Sequence, residues 1–367
     1  MTTLFDPLHI GEIAAANRIA MAPLTRDRAG PGQVPTALMV TYYEQRASAG
    51  LIVTEGTQIS AEGQGYLDTP GIFSPAQIAG WKKVTDAVHA KGGKIVVQLW
   101  HVGRISLLSL LPPGMQPVSS TATRAKGKTF TAQGFEDVSE PRALRTDEIP
   151  RLIADYRQAA RNAIEAGFDG VEVHGANGYL LEQFMRDSIN DRTDAYGGSR
   201  ENRARLVVEV MTAIADEIGA GRTGIRLSPV TPANDAGPDS DPQATYELIV
   251  EKLAALKLAF IHVVEGATGG PRDVAPFDFD ALRRIFKAGS PHGAWIANNG
   301  YTREMAIDAV KSGAADMVAF GKHFISNPDL VERLKLDAPL TQPNRQTFYG
   351  GGAEGYTDYP PMELAPA

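Results

Sequence analysis

RQAARNAIEAGFDGVEVHGANGYLLEQFMRD, residues 157–187, holds one complete structural unit of this chain. Its first residues continue an apolar pattern at helical spacing that begins near Thr146, behind the acidic pair Asp147 and Glu148, and stops before Gly167. Acidic residues suit the amino end of a helix and glycine suits the residue past its carboxyl end. The pattern therefore predicts a helix over Thr146–Ala166, with Pro150 tolerated near its start. Gly170–His174 follows. Short, largely apolar and β-branched, it reads as a strand buried on both faces. His174, Asn177 and Tyr179 stand at its carboxyl end.

The unit recurs on both sides. Strands at Arg18–Ala22, Leu51–Glu55, Lys94–Leu99, Thr223–Leu227, Phe260–Val264, Ala294–Ala297 and Met317–Phe320 bring the total to eight. Helices are predicted at Ser74–Ala90, which opens on a Ser-Pro cap, and at Arg200–Ile218, Pro242–Leu256, Asp278–Lys287, Thr302–Ser312 and within Asn327–Leu334. Alternating buried strands and helices predict a parallel sheet. Eight units favour a closed (β/α)8 TIM barrel over an open doubly wound sheet, which would usually carry a Gly-rich fingerprint after an early strand. The expected organisation is a single domain over 1–367. Residues 103–145, rich in Pro, Gly, Ser and Thr, are too long for a simple turn and read as a lid with a small hairpin near Pro117–Ser139. The tail, about 340–367, carries Gly, Pro and Tyr and is expected to pack near the active site.

Hydrophobic residues at 43% and charged residues at 22% describe an ordinary globular chain, long enough for a large core. A net charge of −7 argues against nucleic acid or an anionic membrane surface as the main partner. With no cysteine, disulfides, thiolate nucleophiles, Cys-ligated zinc and Cys-held iron–sulfur clusters are excluded. The opening residues lack the charged start and apolar core of a signal peptide, and no stretch offers the ~20 apolar residues of a bilayer span. A cytoplasmic protein is the expectation.

In such a barrel the active site lies at the carboxyl ends of the strands. Thr25 follows strand one, Gln98 and Trp100 close strand three, and Arg226 lies inside strand five. A buried guanidinium needs an anion or a polarised acceptor, and a buried amide needs a partner. Arg226 is open to reading as a structural ion pair. Together with Gln98 and Thr25, it can instead ring a flat heterocycle. His174 and Asn177 can aim two donors at one oxygen of a carbonyl or nitro group, although a lone histidine here is often a core residue. Tyr179 can donate a proton or merely fill the core. Asn299–Gly300 and Gly321–Lys322 fall after strands seven and eight, where many barrels bind phosphate.

These residues lie in long motifs: NRIAMAPLTR (17–26), YYEQRASAGLIVTEGTQIS (42–60), VVQLWHVGR (96–104), the opening stretch at 157–187, RTDAYGGSRENRARL (192–206), MVAFGKHFISNPDL (317–330) and YGGGAEGYTDYP (349–360). Almost end to end the chain resembles the old yellow enzymes, in particular the bacterial ene- and nitroester-reductase branch. The resemblance implies non-covalent FMN and reduction by NADPH or NADH. Thr25 would tune the reactive flavin edge, with Pro23, Leu24 and Gly56 lining the ring. Gln98 and Arg226 would bond the pyrimidine end, and Asn299, Gly300, Gly321 and Lys322 would hold the phosphate. His174 and Asn177 would bind the activating oxygen of an enone, enal, maleimide or nitroalkene, or of a phenolic ligand. Tyr179 would give the proton, and Tyr66, Trp100 and Tyr349 would wall the substrate cavity. The chain departs from that branch at Asn177, where histidine is common, and at Lys322, where arginine is usual. One site and one flavin imply a ping-pong cycle in a monomer or homodimer. A phosphate-binding barrel aldolase or isomerase, and a slow flavin-binding sensor, are the alternatives.

Overall fold

A computed structural model of the chain describes residues 2–362. Eight parallel strands close into a barrel: β1 (Ile19–Met21), β2 (Leu51–Gln58), β3 (Ile95–Trp100), β4 (Gly170–Gly175), β5 (Thr223–Leu227), β6 (Phe260–Val264), β7 (Ala294–Asn298) and β8 (Met317–Phe320). Each pairs with the next, and β8 pairs with β1. The expected (β/α)8 TIM barrel is the observed fold, with every predicted strand within a few residues of its place.

Period two divides each strand into two faces. Ala20, Leu51, Val53, Val96, Phe260, Ala294, Ile296, Met317 and Ala319 form one buried cluster, and their alternates Ile19, Ile52, Ile95, Val97, Ile225 and Trp295 join another, far larger one. The first cluster fills the barrel; the second packs the helices against its outer wall. A short antiparallel hairpin, Leu8–Ile10 with Ile13–Ala15, contributes Ile10, Ile13 and Ala15 to the inner cluster and so closes the barrel's amino end. The inward positions nearer the carboxyl ends break the apolar pattern: Gln98, Glu172, His174, Arg226, His262 and Asn298 are all buried. The polar residues therefore collect at one end of the barrel.

The helices are α1 (Ala37–Glu44), α2 (Pro75–Ala90), α3 (Ile149–Glu165), α4 (Leu180–Met185), α5 (Arg200–Ile218), α6 (Pro242–Ala255), α7 (Phe279–Gly289), α8 (Arg303–Ser312), α9 (Lys322–Ser326) and α10 (Leu330–Leu336). Ser74 and Gln77 form a reciprocal cap at the start of α2, a device worth about 1 kcal/mol. Beyond α3, Gly167 takes φ +87°, a conformation that costs glycine little. Helices α1, α4 and α9 add to the predicted set; all are eight residues or shorter, too short for periodicity to mark them.

Within 103–145, Val118–Ser119 pairs with Arg142–Ala143, and Lys128–Thr131 forms a hairpin with Gly134–Asp137. The hairpin is tied down at Phe130, whose carbonyl accepts from the Leu67 amide at 2.9 Å. The tail through residue 362 returns to the carboxyl end of the barrel, where Phe348 and Tyr349 reach the central cavity; the expected tail's last residues, 363–367, lie outside the described residues. No helix is long and apolar enough to cross a membrane among the described residues.

Candidate active site

A cavity of about 420 Å³ opens at the carboxyl ends of the strands, within the roughly 300–1,000 Å³ typical of small-molecule sites. Pro23, Leu24 and Thr25 after β1, Gln98 and Trp100 on β3, and Arg226 on β5 line it. His174, Asn177 and Tyr179 line it from the end of β4, and Tyr349 from the tail. Asn299, Gly300, Gly321 and Lys322 complete the wall beyond β7 and β8. Residues scattered over more than three hundred positions thus share one space.

Two predicted residues lie elsewhere. Gly56 is not on this wall. It backs Trp100, where a Cβ would come within 2.3 Å of the indole Cε3, so the missing side chain makes room for the tryptophan. Tyr66 lines a smaller adjoining cavity and stacks on Trp100, ring centroids 5.5 Å apart.

The His174 ring has a readable tautomer. Its Nδ1 accepts the Ala176 amide N–H at 3.3 Å, so the ring proton sits on Nε2. Burial, with the Arg226 and His262 charges adding to it, pushes the imidazole well below its usual range and keeps it neutral. Asn177 holds φ +58°, a left-handed conformation that asparagine tolerates. Its Oδ1 accepts the Thr268 hydroxyl at 2.7 Å, which leaves the amide N–H groups free to donate. Tyr179 hydrogen-bonds Tyr66, hydroxyl to hydroxyl, at 2.9 Å. Burial pushes its phenol up to about 12, so it carries its proton at neutral pH.

Behind Gln98 and Arg226 lies a buried polar layer. Gln98 Nε2 donates to Glu172 Oε1 at 2.8 Å, and Glu172 Oε2 lies 2.8 Å from His262 Nδ1. Burial lowers His262, so the neutral ring donates from Nδ1 to the carboxylate. Arg226 Nη2 donates to Asn298 Oδ1 at 2.8 Å, while Arg226 Nε has no partner in the protein. Burial alone would weaken the guanidinium's hold on its proton; the Glu172 charge opposes this. Glu172, His262 and Thr268 were missed in the sequence reading. The first two carry the signal that exposed Arg226, a polar residue inside an apolar strand.

The donor set fits a flavin mononucleotide. An unpartnered guanidinium N–H on β5, an amide with free valences on β3 and the Thr25 hydroxyl can surround a planar heterocycle. At the far end Gly300 holds φ +66°, and a Cβ at Gly321 would meet nothing nearer than Leu24 at 3.5 Å, leaving open space for a phosphate beside Lys322. Asn299, at φ +110°, is held to the neighbouring loop by bonds to the Glu265 carbonyl at 2.7 Å and from the Gly269 amide at 3.1 Å.

Comparison with known proteins agrees with this geometry. Residues 3–341 match the NADH:flavin oxidoreductase / NADH oxidase family. The chain is 48% identical over 371 residues to 12-oxophytodienoate reductase 1 of Oryza sativa subsp. japonica, covering 98% of this chain and 93% of that protein. The structure of the old yellow enzyme homologue from Zymomonas mobilis superimposes with a TM-score of 0.94 at 46% identity, over 98% of this chain and 100% of that one. Morphinone reductase in complex with tetrahydroNAD superimposes with a TM-score of 0.92 at 46% identity, over 99% and 98%. The chain belongs to the NADH:flavin oxidoreductase / NADH oxidase family and is an FMN-dependent oxidoreductase of the old yellow enzyme type.

Proposed function

We propose that the protein reduces activated carbon–carbon double bonds of enones, enals, maleimides or nitroalkenes at the expense of NADPH or NADH. Nitroesters are a further substrate class, for which the same two electrons, with a proton, cleave the O–N bond to an alcohol and nitrite. When bound, FMN would supply the hydride chemistry that couples nicotinamide oxidation to reduction of the alkene at its β-carbon. The chain's own residues supply the rest. Gln98, Arg226 and Thr25 hold the isoalloxazine edge, Pro23 and Leu24 flank it, and Asn299, Gly300, Gly321 and Lys322 hold the phosphate. Neutral His174, donating from Nε2, and the Asn177 amide bind the activating oxygen and stabilise charge that builds on it. A cationic histidine would be harder to bury beside Arg226.

The observation that carries the reading is the convergence of three donors, His174 Nε2, Asn177 Nδ2 and Tyr179 Oη, on one cavity wall. Tyr179 gives a proton to the α-carbon, and Tyr66, 2.9 Å away, relays a replacement. The same pocket serves nicotinamide and alkene in turn, a ping-pong cycle. Trp100 and Tyr349 shape the substrate space, and phenols bind with their oxygen at the donor pair. Membership of an oxidoreductase family displaces the aldolase alternative.

The test separates the half-reactions under anaerobic conditions. NADPH or NADH is expected to bleach the flavin of Tyr179→Phe at close to the wild-type rate, while reoxidation by an enone slows by about 10²–10⁴-fold. Equal loss in both half-reactions removes the proton-donor role. A flavin that no nicotinamide bleaches removes the reductase reading and leaves the flavin-binding sensor.

A further inference from the structure

The space for substrate does not end at Tyr179. A second cavity of about 230 Å³ shares Thr25, Tyr179 and Tyr349 with the first and is walled by Tyr66, Phe130 and Phe135. Asp27 lies on its wall, 2% exposed, and neither carboxyl oxygen has a hydrogen-bond partner in the protein. A buried carboxyl without partners is costly, and native structures seldom keep one without a use for it.

The arginines on either side are committed elsewhere. Arg26 donates to the carbonyls of Thr347, Phe348 and Gly355, and Arg28 to those of Arg26, Thr347 and Gly352. Burial pushes the Asp27 carboxyl up to about 8; the like charges of Glu55 and Asp68 add to the rise, and Arg28 and Arg26 oppose it. Lys128 also lines this cavity, exposed on the lid hairpin and in no ion pair among the described residues. The remaining wall is aromatic: Phe130 lies 5.4 Å from Phe135 and 6.3 Å from Tyr349, ring centroid to ring centroid.

A carboxyl without a partner, enclosed by aromatic faces, is the chemistry that recognises an ammonium group. We propose that Asp27 is the acceptor of a second substrate subsite, which receives a protonated amine on a side arm of the alkene. This rests on the ene-reductase reading. Entry of the cation stabilises the ionised carboxyl; a hydroxyl on the same arm gains only a neutral hydrogen bond, and a carboxylate gains no charge pairing from Asp27.

The experiment uses the FMN-loaded enzyme with maleimides bearing N-ethyl, N-(2-hydroxyethyl), N-(2-aminoethyl) or N-(2-carboxyethyl) arms. Wild type, Asp27→Asn and Asp27→Gly are compared; both replacements accept the φ +51° of this position, so the fold is kept. Wild type is expected to favour the aminoethyl over the ethyl arm by about tenfold in kcat/KM. Both variants are expected to bring that ratio near one, with Asn alone keeping a preference for the hydroxyethyl arm. Equal arm ratios in all three proteins overturn the proposal. If no maleimide is reduced, the ene-reductase reading fails instead, and calorimetric binding of tyramine against 4-ethylphenol decides the subsite. Tighter tyramine binding in wild type alone supports it; equal affinities in all three proteins sink it.

Discussion

Glu172 is the residue on which the polar layer of the barrel turns. It is fully buried, accepts from Gln98 and from His262, and opposes the loss of charge at Arg226. It orients the Gln98 amide and balances the guanidinium, so it acts on the proposed flavin site through other side chains. Replacing it with glutamine keeps the shape and removes the negative charge. With the flavin held as proposed, the field at its pyrimidine end would become more positive, which would favour the reduced, anionic form. Glu172→Gln is therefore expected to raise the flavin midpoint potential, by roughly 30 mV for about 1.4 kcal/mol of lost balance in a two-electron couple. Spectroelectrochemistry of the loaded protein reads this directly, and a purely structural role predicts no shift. Arg226 and Gln98 were legible in the sequence because a charge or an amide inside an apolar run demands a partner. Glu172 and His262 sit in runs of the same kind, GVEVH and FIHVV, but neither stands at a strand's carboxyl end, where a barrel's active-site residues are expected. Gly56 shows the converse failing. Its place in the chain is plain, but whether it faces the cavity or Trp100 depends on a ring folded against it.

At the scale of elements, strands and long helices follow from local pattern, whereas the closure of the site does not. Runs such as IVVQLW and WIAN are apolar on both faces and have one plausible fate in an α/β chain. The tail has no such pattern. Arg26, just after β1, donates to three tail carbonyls, and its guanidinium lies 5.4 Å from the Tyr42 ring centre and 5.1 Å from that of Tyr356. Tyr42 and Tyr356 stack at 4.2 Å. These contacts join residues some three hundred positions apart, beyond the reach of any sequence window. They hold the segment that brings Phe348 and Tyr349 to the cavity. Arg26→Ala is expected to cost on the order of 2–4 kcal/mol and to release the tail before the barrel unfolds. Limited proteolysis would then cut first within 340–362. A digestion pattern identical to wild type would mean that Arg28 and the stacked tyrosines secure the segment without Arg26.

For the whole molecule, burial of ionisable groups makes stability depend on pH, and the sign differs by group. Glu62, paired with His101 and Arg151, is held at about 2 against its burial, so the stability it contributes is lost as pH falls from about 4.5 towards 2. His174, His262 and His323 are all lowered, chiefly by burial; the unfolded chain takes up their protons first, so stability also falls as pH drops below about 6.5. Glu55 and Asp27 behave oppositely. Burial raises them to about 7 and about 8, so the folded state holds protons that the unfolded chain has released. Their contribution is fully present below about 4 and is lost as pH rises through those values. Between pH 4.5 and 6.5 the histidines and these carboxyls pull in opposite directions. Above 6.5 the histidines no longer contribute to the slope, and Asp27 alone removes about 2 kcal/mol by pH 8 at about 1.36 kcal/mol per pH unit. Thermal unfolding of the wild type is accordingly expected to show a midpoint that declines from pH 6.5 to 8, while Asp27→Asn, which cannot ionise, declines far less over the same interval. A wild-type midpoint that is flat or rising there would mean that Arg26 and Arg28 compensate Asp27 and Glu55 in the folded protein, and that the carboxyls enter the native state already charged.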